Sequence, residues 1–152
     1  MSTVRRILES KKKGYYTISP DVTAYEALQI MADKDVGALL VVNEGNLVGI
    51  FTERDYSRKV ILKGKSSKET AVHEIMTPMV FCVSPEHNIE HCMSLMNEKH
   101  VRHLPVLEDG KLVGLVSIRD VVNMVISEKE NKIKELEGFI VGTNYEQDAS
   151  NR

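Results

Sequence analysis

Gly49-Ile-Phe-Thr-Glu-Arg-Asp55 and Gly114-Leu-Val-Ser-Ile-Arg-Asp120 are two copies of one short element. When the chain is slid against itself by 65 positions, the match extends without a gap and pairs residues 18–60 with residues 83–125. The identical pairs include Ser19/Ser84, Pro20/Pro85, Val36/Val101, Leu39/Leu104, Gly45/Gly110 and Gly49/Gly114. A gapless match across two loops and two apolar runs indicates an internal duplication, and this duplication decides the fold.

Each copy has the pattern of a β-α-β-β-α unit. An extended entry, residues 15–18 or 80–83, leads into a Ser-Pro turn, and in the first copy Thr23 opens a helix with capping-box spacing. The strands GALLVV and LVGIF, or HLPVL and LVGLV, flank a glycine turn at hairpin spacing, and a second helix begins at Glu53 or Ile118. Because a unit of roughly 45 residues buries a core poorly, we expect the two copies to pack together in a mixed α/β (α+β) fold.

The pattern divides the chain into three segments. We expect residues 1–68 to hold the first repeat with a short N-terminal helix and a polar linker, and residues 69–127 to hold the second repeat. Residues 128–152 are expected to form a C-terminal helix and a frayed tail. The N-terminal helix has one apolar face, made by Val4, Ile7 and Leu8. The C-terminal helix has an apolar stripe that predicts packing or dimer formation, made by Ile133, Leu136, Phe139 and Ile140.

Composition argues against several classes of protein. The 152 residues are 42% hydrophobic, and 20 Lys and Arg against 22 Asp and Glu give a formal net charge of -2. A near-neutral balance argues against sequence-blind nucleic-acid binding, which needs clustered positive charge. The longest run without a polar side chain, residues 36–42, is far shorter than the roughly 20 residues of a membrane span. With two cysteines and no apolar core of signal-peptide length, we expect a cytoplasmic protein that is not attached to a membrane.

The duplicated element can carry chemistry at a strand-to-helix junction. A glycine there lets a ligand approach the backbone closely, and the free amides of the helix start favour an anion. An aspartate just inside the helix can accept both hydroxyls of a ribose, and the hydroxyl of Thr52 or Ser117 can join the same sugar. The spacing Thr-x-x-Asp or Ser-x-x-Asp is also nearly that of a capping box, which needs no ligand. The local pattern leaves both interpretations open.

Both repeats resemble the cystathionine-β-synthase (CBS) domain, and together they resemble a CBS pair, or Bateman module, over residues 4–126. The C-terminal tail and the segments GALLVV, TERDYSRKV and RHLPV are similar to the corresponding segments of stand-alone bacterial CBS-pair proteins, which have been assigned provisionally to signal transduction. The resemblance implies that Gly-x-x-Thr/Ser-x-x-Asp binds the ribose of an adenosine ligand such as AMP, ADP, ATP or NAD(H). It also implies a homodimer, no attached enzyme and no catalytic cofactor.

The two implied sites differ where a phosphate would lie. In the family, the residues just before the apolar strand face the phosphates, and these are Arg102 and His103 in the second copy but Gly37 and Ala38 in the first. Arginine suits phosphate because its planar fork donates two parallel hydrogen bonds. The Asp120 site is therefore predicted to take the phosphorylated end of a ligand. The other site should be weaker, or should accept the nucleoside part of a larger ligand such as NAD(H).

The resemblance also implies apolar walls for the adenine. The residues that the resemblance assigns to the Asp120 site, or second-motif site, are Tyr16, Val36, Arg102, His103, Leu104, Leu115, Ser117, Arg119 and Asp120. The residues that the resemblance assigns to the Asp55 site, or first-motif site, are Gly37, Ala38, Ile50, Thr52, Arg54, Asp55, Phe81 and Val101. Pro105 matches a proline common at its position in the family, whereas its counterpart Leu40 departs from the pattern.

Three other features have a plainer interpretation. His87 and His91 are four residues apart, a spacing that metals use, but no obvious third ligand accompanies them and we expect solvated histidines and no metal. Cys92 is expected to be a quiet, partly buried thiol in a helix. The basic run of residues 11–13 is expected to be solvated, with contact to a ligand phosphate as the alternative. No catalytic triad, Walker loop or carboxylate pair stands out, so catalysis lacks candidates.

The sequence thus predicts a non-catalytic sensor. An adenosine ligand bound between the two repeats would change the surface of a dimer, and an unknown downstream protein would recognise the change. The main alternative is a nucleotide-independent protein-interaction module whose junction motifs only cap helices. A small nucleotide-hydrolysing enzyme and a DNA-binding protein are further alternatives.

Overall fold

The computed structural model describes residues 2–12, 14–78 and 80–140 of the chain, without the side chains of residues 139 and 140. The duplication is confirmed in backbone detail. Each repeat contains a β-hairpin whose turn has two consecutive residues with positive φ, 51° and 81° at Glu44 and Gly45 and 52° and 77° at Asp109 and Gly110. Positive φ at both central residues is the geometry of the tight turns that match the twist of a hairpin.

The first half is built on a three-stranded sheet. Strand β1 (Thr17–Ile18) pairs in parallel with β2 (Ala38–Asn43), which pairs antiparallel with β3 (Asn46–Thr52). Helix α2 (Ala24–Lys34) connects β1 to β2, as a parallel pair requires. The Thr23 hydroxyl accepts the Glu26 N–H at 3.1 Å, so the predicted helix start is confirmed.

The second helix of this half differs from the expected single α-helix. Helix α3 (Glu53–Asp55) is only one turn long and continues as a π-helical segment, Tyr56–Ile61. The wider winding persists at its end, where the Leu62 N–H donates to the Ser57 carbonyl at 3.2 Å. Segments of this kind are rare and are concentrated at functional sites. The short helix α4 (Val72–Ile75) completes the half.

The second half repeats the hairpin but shortens its entry. Helix α5 (Ile89–Lys99) leads to strands β4 (His103–Glu108) and β5 (Lys111–Ser117), which pair antiparallel. The expected strand at residues 80–83 is reduced to one parallel bridge between Val83 and Val106. The chain ahead of this bridge does not continue the sheet, because Val80 packs on the apolar cluster between the two halves.

Helix α1 (Val4–Ser10) packs on the second half, although its position in the sequence groups it with the first repeat. Val4 and Ile7 are buried in the second core, and Leu8 lies over Gly114. A Cβ atom on Gly114 would lie 2.6 Å from a Leu8 methyl carbon, so the glycine makes room for the helix. The expected segment of residues 1–68 thus begins with a helix whose apolar face is buried in the core of the other repeat.

Three apolar clusters hold the described residues together. One lies inside each half, and the third joins the two hairpins: Ala38, Leu40 and Ile50 are buried there, with Leu112 and Leu115 of β5 packed against them. The expectation that the two copies pack on each other is confirmed. The two strand-to-helix junctions therefore belong to halves that share an apolar interface.

Helix α6 (Ile118–Ile140) is continuous, so the predicted boundary at residue 127 falls inside it. Its residues Ile133 and Leu136 are 54% and 51% exposed, which leaves the predicted apolar stripe open on one side. The side chains of Phe139 and Ile140, and the tail predicted to be frayed, lie outside the described residues. Within the described chain no helix is both long enough and apolar enough to cross a membrane.

Candidate functional site

Both duplicated junctions form a complete capping box. The Thr52 N–H donates to Asp55 Oδ2 at 2.9 Å, and the Asp55 N–H donates to Thr52 Oγ1 at 3.2 Å. In the second repeat the Ser117 N–H donates to Asp120 Oδ2 at 2.8 Å, and the Asp120 N–H donates to Ser117 Oγ at 3.1 Å. The capping interpretation that the sequence left open is therefore correct at both positions, and each aspartate commits one oxygen to its own helix.

The remaining oxygen of Asp55 is held by two side chains. Oδ1 accepts a hydrogen bond from Thr77 Oγ1 at 3.1 Å and pairs with Lys59 Nζ at 3.0 Å. The Asp55 side chain is only 8% exposed, while that of Lys59 is 41% exposed. Because buried polar groups need partners, these two contacts offset the burial of the Asp55 side chain at the start of α3. The exposed ammonium of Lys59 is the partner that can leave most readily.

Asp120 is held differently. Its Oδ2 accepts both the Ser117 N–H and the ammonium of Lys11, whose Nζ lies 2.9 Å away. The same ammonium donates to the Leu115 carbonyl at 2.6 Å. Oδ1 of Asp120 accepts no hydrogen bond from any residue in the described part of the chain. Among the described residues, a lysine from the N-terminal segment and the Ser117 N–H thus share one oxygen of Asp120, and the other has no partner.

A cavity of about 230 Å³ opens over Asp55. Seven of the eight residues predicted for the first-motif site line it, and Ala38 alone is buried instead in the cluster between the hairpins. The described residues that line it are Gly37, Ile50, Thr52, Glu53, Arg54, Asp55, Thr77, Val80, Phe81, Val101, Arg102 and His103. Sequence reasoning missed Glu53, Thr77 and Val80. Thr77 and Val80 belong to the linker between helix α4 and the bridge at Val83, whose placement no local pattern indicates.

Arg102 and His103 line this cavity, whereas the sequence assigned them to the Asp120 site. His103 faces both sites, because its register partner on β5 is Ser117, the cap of the second junction. Burial lowers the pKa of His103, while the nearby Asp120 carboxylate acts in the opposite direction. The assignment of both residues to the second site alone is therefore corrected. The interface between the halves, which the repeat pattern does not describe, brings them to Asp55.

Arg54 also connects the halves. Its guanidinium Nη1 donates to the carbonyl of His100 at 2.8 Å, and His100 is the left-handed residue that ends α5. The Arg54 side chain lines the cavity as well. Three basic side chains, Arg54, Arg102 and His103, therefore stand at one cavity whose floor is acidic and whose walls are apolar.

The other residues predicted for the second-motif site differ in their surroundings. Leu104 is fully buried in the second core and cannot contact a ligand, which corrects that prediction. Tyr16 and Val36 pack against the first core, Leu115 packs between the hairpins, and Arg119 is exposed. The structure instead places Lys11 at Asp120, which the expectation of a solvated basic run did not predict.

The remaining candidates have structural roles. Cys92 is fully buried in α5, and burial raises the pKa of its thiol, as expected for an unreactive cysteine. The rings of His87 and His91 stack with centroids 4.2 Å apart, and His87 Nδ1 accepts the Ser84 N–H at 2.9 Å. Over the described residues, no group of three or more His, Cys, Asp or Glu side chains is placed to hold a metal ion.

Two β-α-β-β-α halves packed hairpin to hairpin, each with Gly-x-x-Thr/Ser-x-x-Asp at the start of its second helix, define the class of CBS-pair modules. The chain belongs to the CBS domain family, whose sequence profile matches residues 4–61 and 72–127. The resemblance seen in the sequence is thereby confirmed.

Known relatives cover most of the chain. A CBS-domain protein of Burkholderia ambifaria, assigned provisionally to signal transduction, is 48% identical; the match covers 83% of this chain and 95% of that one, with a TM-score of 0.79. The mitochondrial CBS domain-containing protein CBSX3 of Arabidopsis thaliana is 39% identical over 150 residues, 93% of this chain and 73% of that protein. The CBS pair of protein MJ0100, solved in complex with 5′-methylthioadenosine and S-adenosyl-L-methionine, is 25% identical, with coverage of 84% and 98% and a TM-score of 0.72.

Proposed function

We propose that this CBS pair is a non-catalytic sensor that binds an adenosine-containing ligand, such as AMP, ADP, ATP or NAD(H), in the cavity over Asp55. The observation that carries the proposal is the composition of that cavity. An aspartate and a threonine form its floor, apolar side chains form its walls, and arginines from both halves stand beside it. These are the partners that a ribose, an adenine and a phosphate each require.

The floor suits a sugar diol. Asp55 Oδ1 already accepts one hydroxyl hydrogen bond, from Thr77, so the oxygen is oriented for donors of this kind. A ribose hydroxyl can replace the exposed ammonium of Lys59 without disturbing the cap, because the cap uses Oδ2. Capping and ligand binding are therefore compatible at this residue, and the box holds the carboxylate in place for the ligand.

The walls suit a purine. Ile50, Val80, Phe81 and Val101 line the cavity, and Phe81 is 41% exposed although it is a large aromatic residue. A planar base that packs against these side chains would remove apolar surface from water, which is favourable by roughly 25 cal/mol per Å². The cavity of about 230 Å³ lies below the roughly 300–1,000 Å³ of typical small-molecule sites. We therefore expect it to hold the adenosine part of a ligand, with further groups outside.

The basic residues support a phosphate at this site. Arg54 and Arg102 come from different halves and both line the cavity, together with His103. Guanidinium groups bind phosphate in a planar, two-point geometry that a lysine cannot match. We accordingly reverse the sequence-based expectation and place the phosphorylated end of the ligand at Asp55 rather than at Asp120.

The complex of protein MJ0100 with two adenosine compounds supports an adenosine ligand for a module of this architecture. The regulatory output would follow from the position of the cavity between the halves, because a ligand that binds one relative orientation better shifts the population toward it. We propose that the chain works as a cytoplasmic homodimer and that another protein recognises the shifted surface. Nucleic acid is not a favoured partner, since the net charge is -2.

The second candidate is a nucleotide-independent interaction module, and the two complete capping boxes favour it. Isothermal titration with AMP, ATP and NADH separates the candidates. We expect saturable heat with at least one of them, and a loss of about 2 kcal/mol, or roughly thirtyfold in affinity, in Asp55→Asn. This variant keeps an oxygen for the Thr52 N–H, and Asp21→Asn at an exposed position is the matched control. No heat with any of the three ligands would favour the interaction module.

A further inference from the structure

Glu53 is the residue of the cavity lining whose charge opposes that of the proposed ligand. It begins helix α3, it is exposed, and it lines the cavity over Asp55 together with Arg54 and Arg102. Within the described chain, no ion pair or side-chain hydrogen bond holds its carboxylate. An acid without a partner among the described residues therefore stands in a cavity to which we assign a phosphate.

The duplication shows that the fold does not require an acid at this position. A shift of 65 positions pairs Glu53 with Ile118 and Gly37 with Arg102. The same backbone contact joins the two positions in each repeat: the Glu53 N–H donates to the Gly37 carbonyl at 3.3 Å, and the Ile118 N–H donates to the Arg102 carbonyl at 2.8 Å. Equivalent positions therefore hold a glycine and an acid in one repeat, and an arginine and an apolar residue in the other.

The glycine leaves room for the carboxylate. A Cβ atom on Gly37 would lie 3.8 Å from Glu53 Oε1, so the acid lies close to the bare backbone just before β2. Gly37, Glu53 and Arg102 all line the cavity over Asp55. The two equivalent pairs thus contribute opposite charges to one cavity, an anion from the first repeat and a cation from the second.

The formal charges of the lining residues cancel. Two cations and two anions line the cavity, namely Arg54, Arg102, Glu53 and Asp55. Burial lowers the pKa of His103 and favours its neutral form. Lys59 pairs with Asp55, which leaves two guanidinium groups and the Glu53 carboxylate to act on a phosphate.

Lys99 does not change this balance. Its Nζ lies 5.1 Å from the centroid of the Phe81 ring, which belongs to the cavity wall, and it pairs with Glu98 Oε1 at 3.4 Å. A phosphate monoester carries a charge of about -1.5 to -2, which two guanidinium groups can neutralise. Each further phosphoryl group adds negative charge, and among the described lining residues only the Glu53 carboxylate remains to face it.

We propose that Glu53 makes the Asp55 cavity selective for a nucleoside monophosphate over the corresponding triphosphate. The inference rests on the proposed nucleotide-binding function and names the phosphorylation state of its ligand. The two arginines hold one phosphate group. A longer phosphate chain does not fit inside a cavity of about 230 Å³ and is repelled by the Glu53 carboxylate as it leaves.

Isothermal titration of the full chain with AMP and with ATP, both in EDTA so that no magnesium neutralises the phosphates, tests the proposal. We expect wild type to bind AMP about tenfold more tightly than ATP. Glu53→Gln keeps the size of the side chain but removes its charge, and it should raise the affinity for ATP about tenfold and that for AMP at most about threefold. Glu53→Asp keeps the charge and should keep the preference. Glu90→Gln, at an exposed position in α5, is the matched control and should leave both affinities unchanged.

Salt dependence separates the charge of Glu53 from a structural role. The preference of wild type for AMP should shrink as the salt concentration rises, because screening weakens the repulsion between exposed charges. A structural role would leave this preference independent of salt. Thermal melting of each variant, measured alongside, identifies any change that comes from unfolding.

The outcomes are distinguishable. A wild type that binds ATP as tightly as AMP, or the same ratio of affinities in wild type and Glu53→Gln, would overturn the selective role while the nucleotide function stood. Weaker ATP binding by Glu53→Gln would also overturn it, because the side chain would then be helping to hold the phosphates. If neither wild type nor Glu53→Gln bound AMP or ATP, the proposed function itself would fall, and the inference with it.

Discussion

Thr77 Oγ1 donates a hydrogen bond to Asp55 Oδ1 across 3.1 Å, which ties the linker that follows α4 to the floor of the cavity. The same linker residue is fixed through its backbone, because Thr77 and Ile50 exchange N–H···O bonds of 2.9 and 3.0 Å. Three positions further on, Val80 begins the cavity wall. One short segment thus holds Asp55 through Thr77 and supplies part of the cavity wall through Val80. In the second repeat, the residue that contacts Asp120 from outside its own hairpin is Lys11.

Thr77→Val should reduce stability by about 1–2 kcal/mol, because the buried carboxylate of Asp55 loses a hydrogen-bond donor. Urea denaturation at neutral pH measures this change. Thr17→Val, at an exposed position in β1, is the control and should stay within about 0.5 kcal/mol of wild type. Equal stabilities of the two variants would show that the Thr77 hydroxyl does not support the aspartate.

Gly49→Ala should destabilise the protein by about 2 kcal/mol or more, since the added Cβ would lie 2.9 Å from the Thr77 carbonyl oxygen and 2.6 Å from Met76 Sδ. The backbone contact cannot relax unless the linker moves. Gly37→Ala is the control, because its Cβ would meet nothing closer than 3.8 Å. Urea midpoints compare the two variants, and a tolerated Gly49→Ala would contradict the close approach of the linker.

Stability should fall as the pH is lowered below about 6.5, because burial holds the pKa of His103 below this ordinary value. In that range His103 binds a proton in the unfolded chain but stays unprotonated in the folded chain, so the free energy of unfolding decreases with decreasing pH. His103→Gln should weaken this dependence when urea denaturation is compared at pH 7.5 and 5.5. Exposed His73→Gln should leave it unchanged. An identical pH dependence in His103→Gln would contradict the burial of a neutral imidazole.

The exposed stripe of α6 should mediate self-association. Ile133 and Leu136 are 54% and 51% exposed on one helix face, and covering such a face removes apolar surface from water. Analytical ultracentrifugation should show a dimer for wild type and a monomer for the double variant Ile133→Glu and Leu136→Glu. Lys134→Ala on the same helix is the control. A wild type that sediments as a monomer would exclude this interface.

The fold could be predicted from the sequence because the duplication is gapless and each hairpin turn is marked by glycine. The helix cap at Thr23 could be predicted from its spacing to Glu26. The spacing of Thr52 and Asp55 likewise indicated a special pair, but the sequence could not choose between a helix cap and a ligand site. These features depend on residues within a few positions of one another. Pattern reasoning is reliable at this range.

The features that escaped prediction depend on how the halves meet. Helix α1 packs on the distant repeat, the π-helical winding follows Asp55, and Arg102 with His103 reaches the opposite junction. Lys11 finds Asp120 only because α1 is seated on β5. None of these contacts has a local signal, since each is decided by packing between segments that are distant in the chain or by a backbone irregularity.

The most direct test of the proposed sensor is a crystal structure determined with saturating AMP. The account predicts a ribose diol on Asp55 Oδ1 in place of Lys59, the adenine against Phe81 and Val101, and the phosphate on Arg102. A cavity without ligand at saturating AMP, with Lys59 and Thr77 still on the carboxylate, would contradict it.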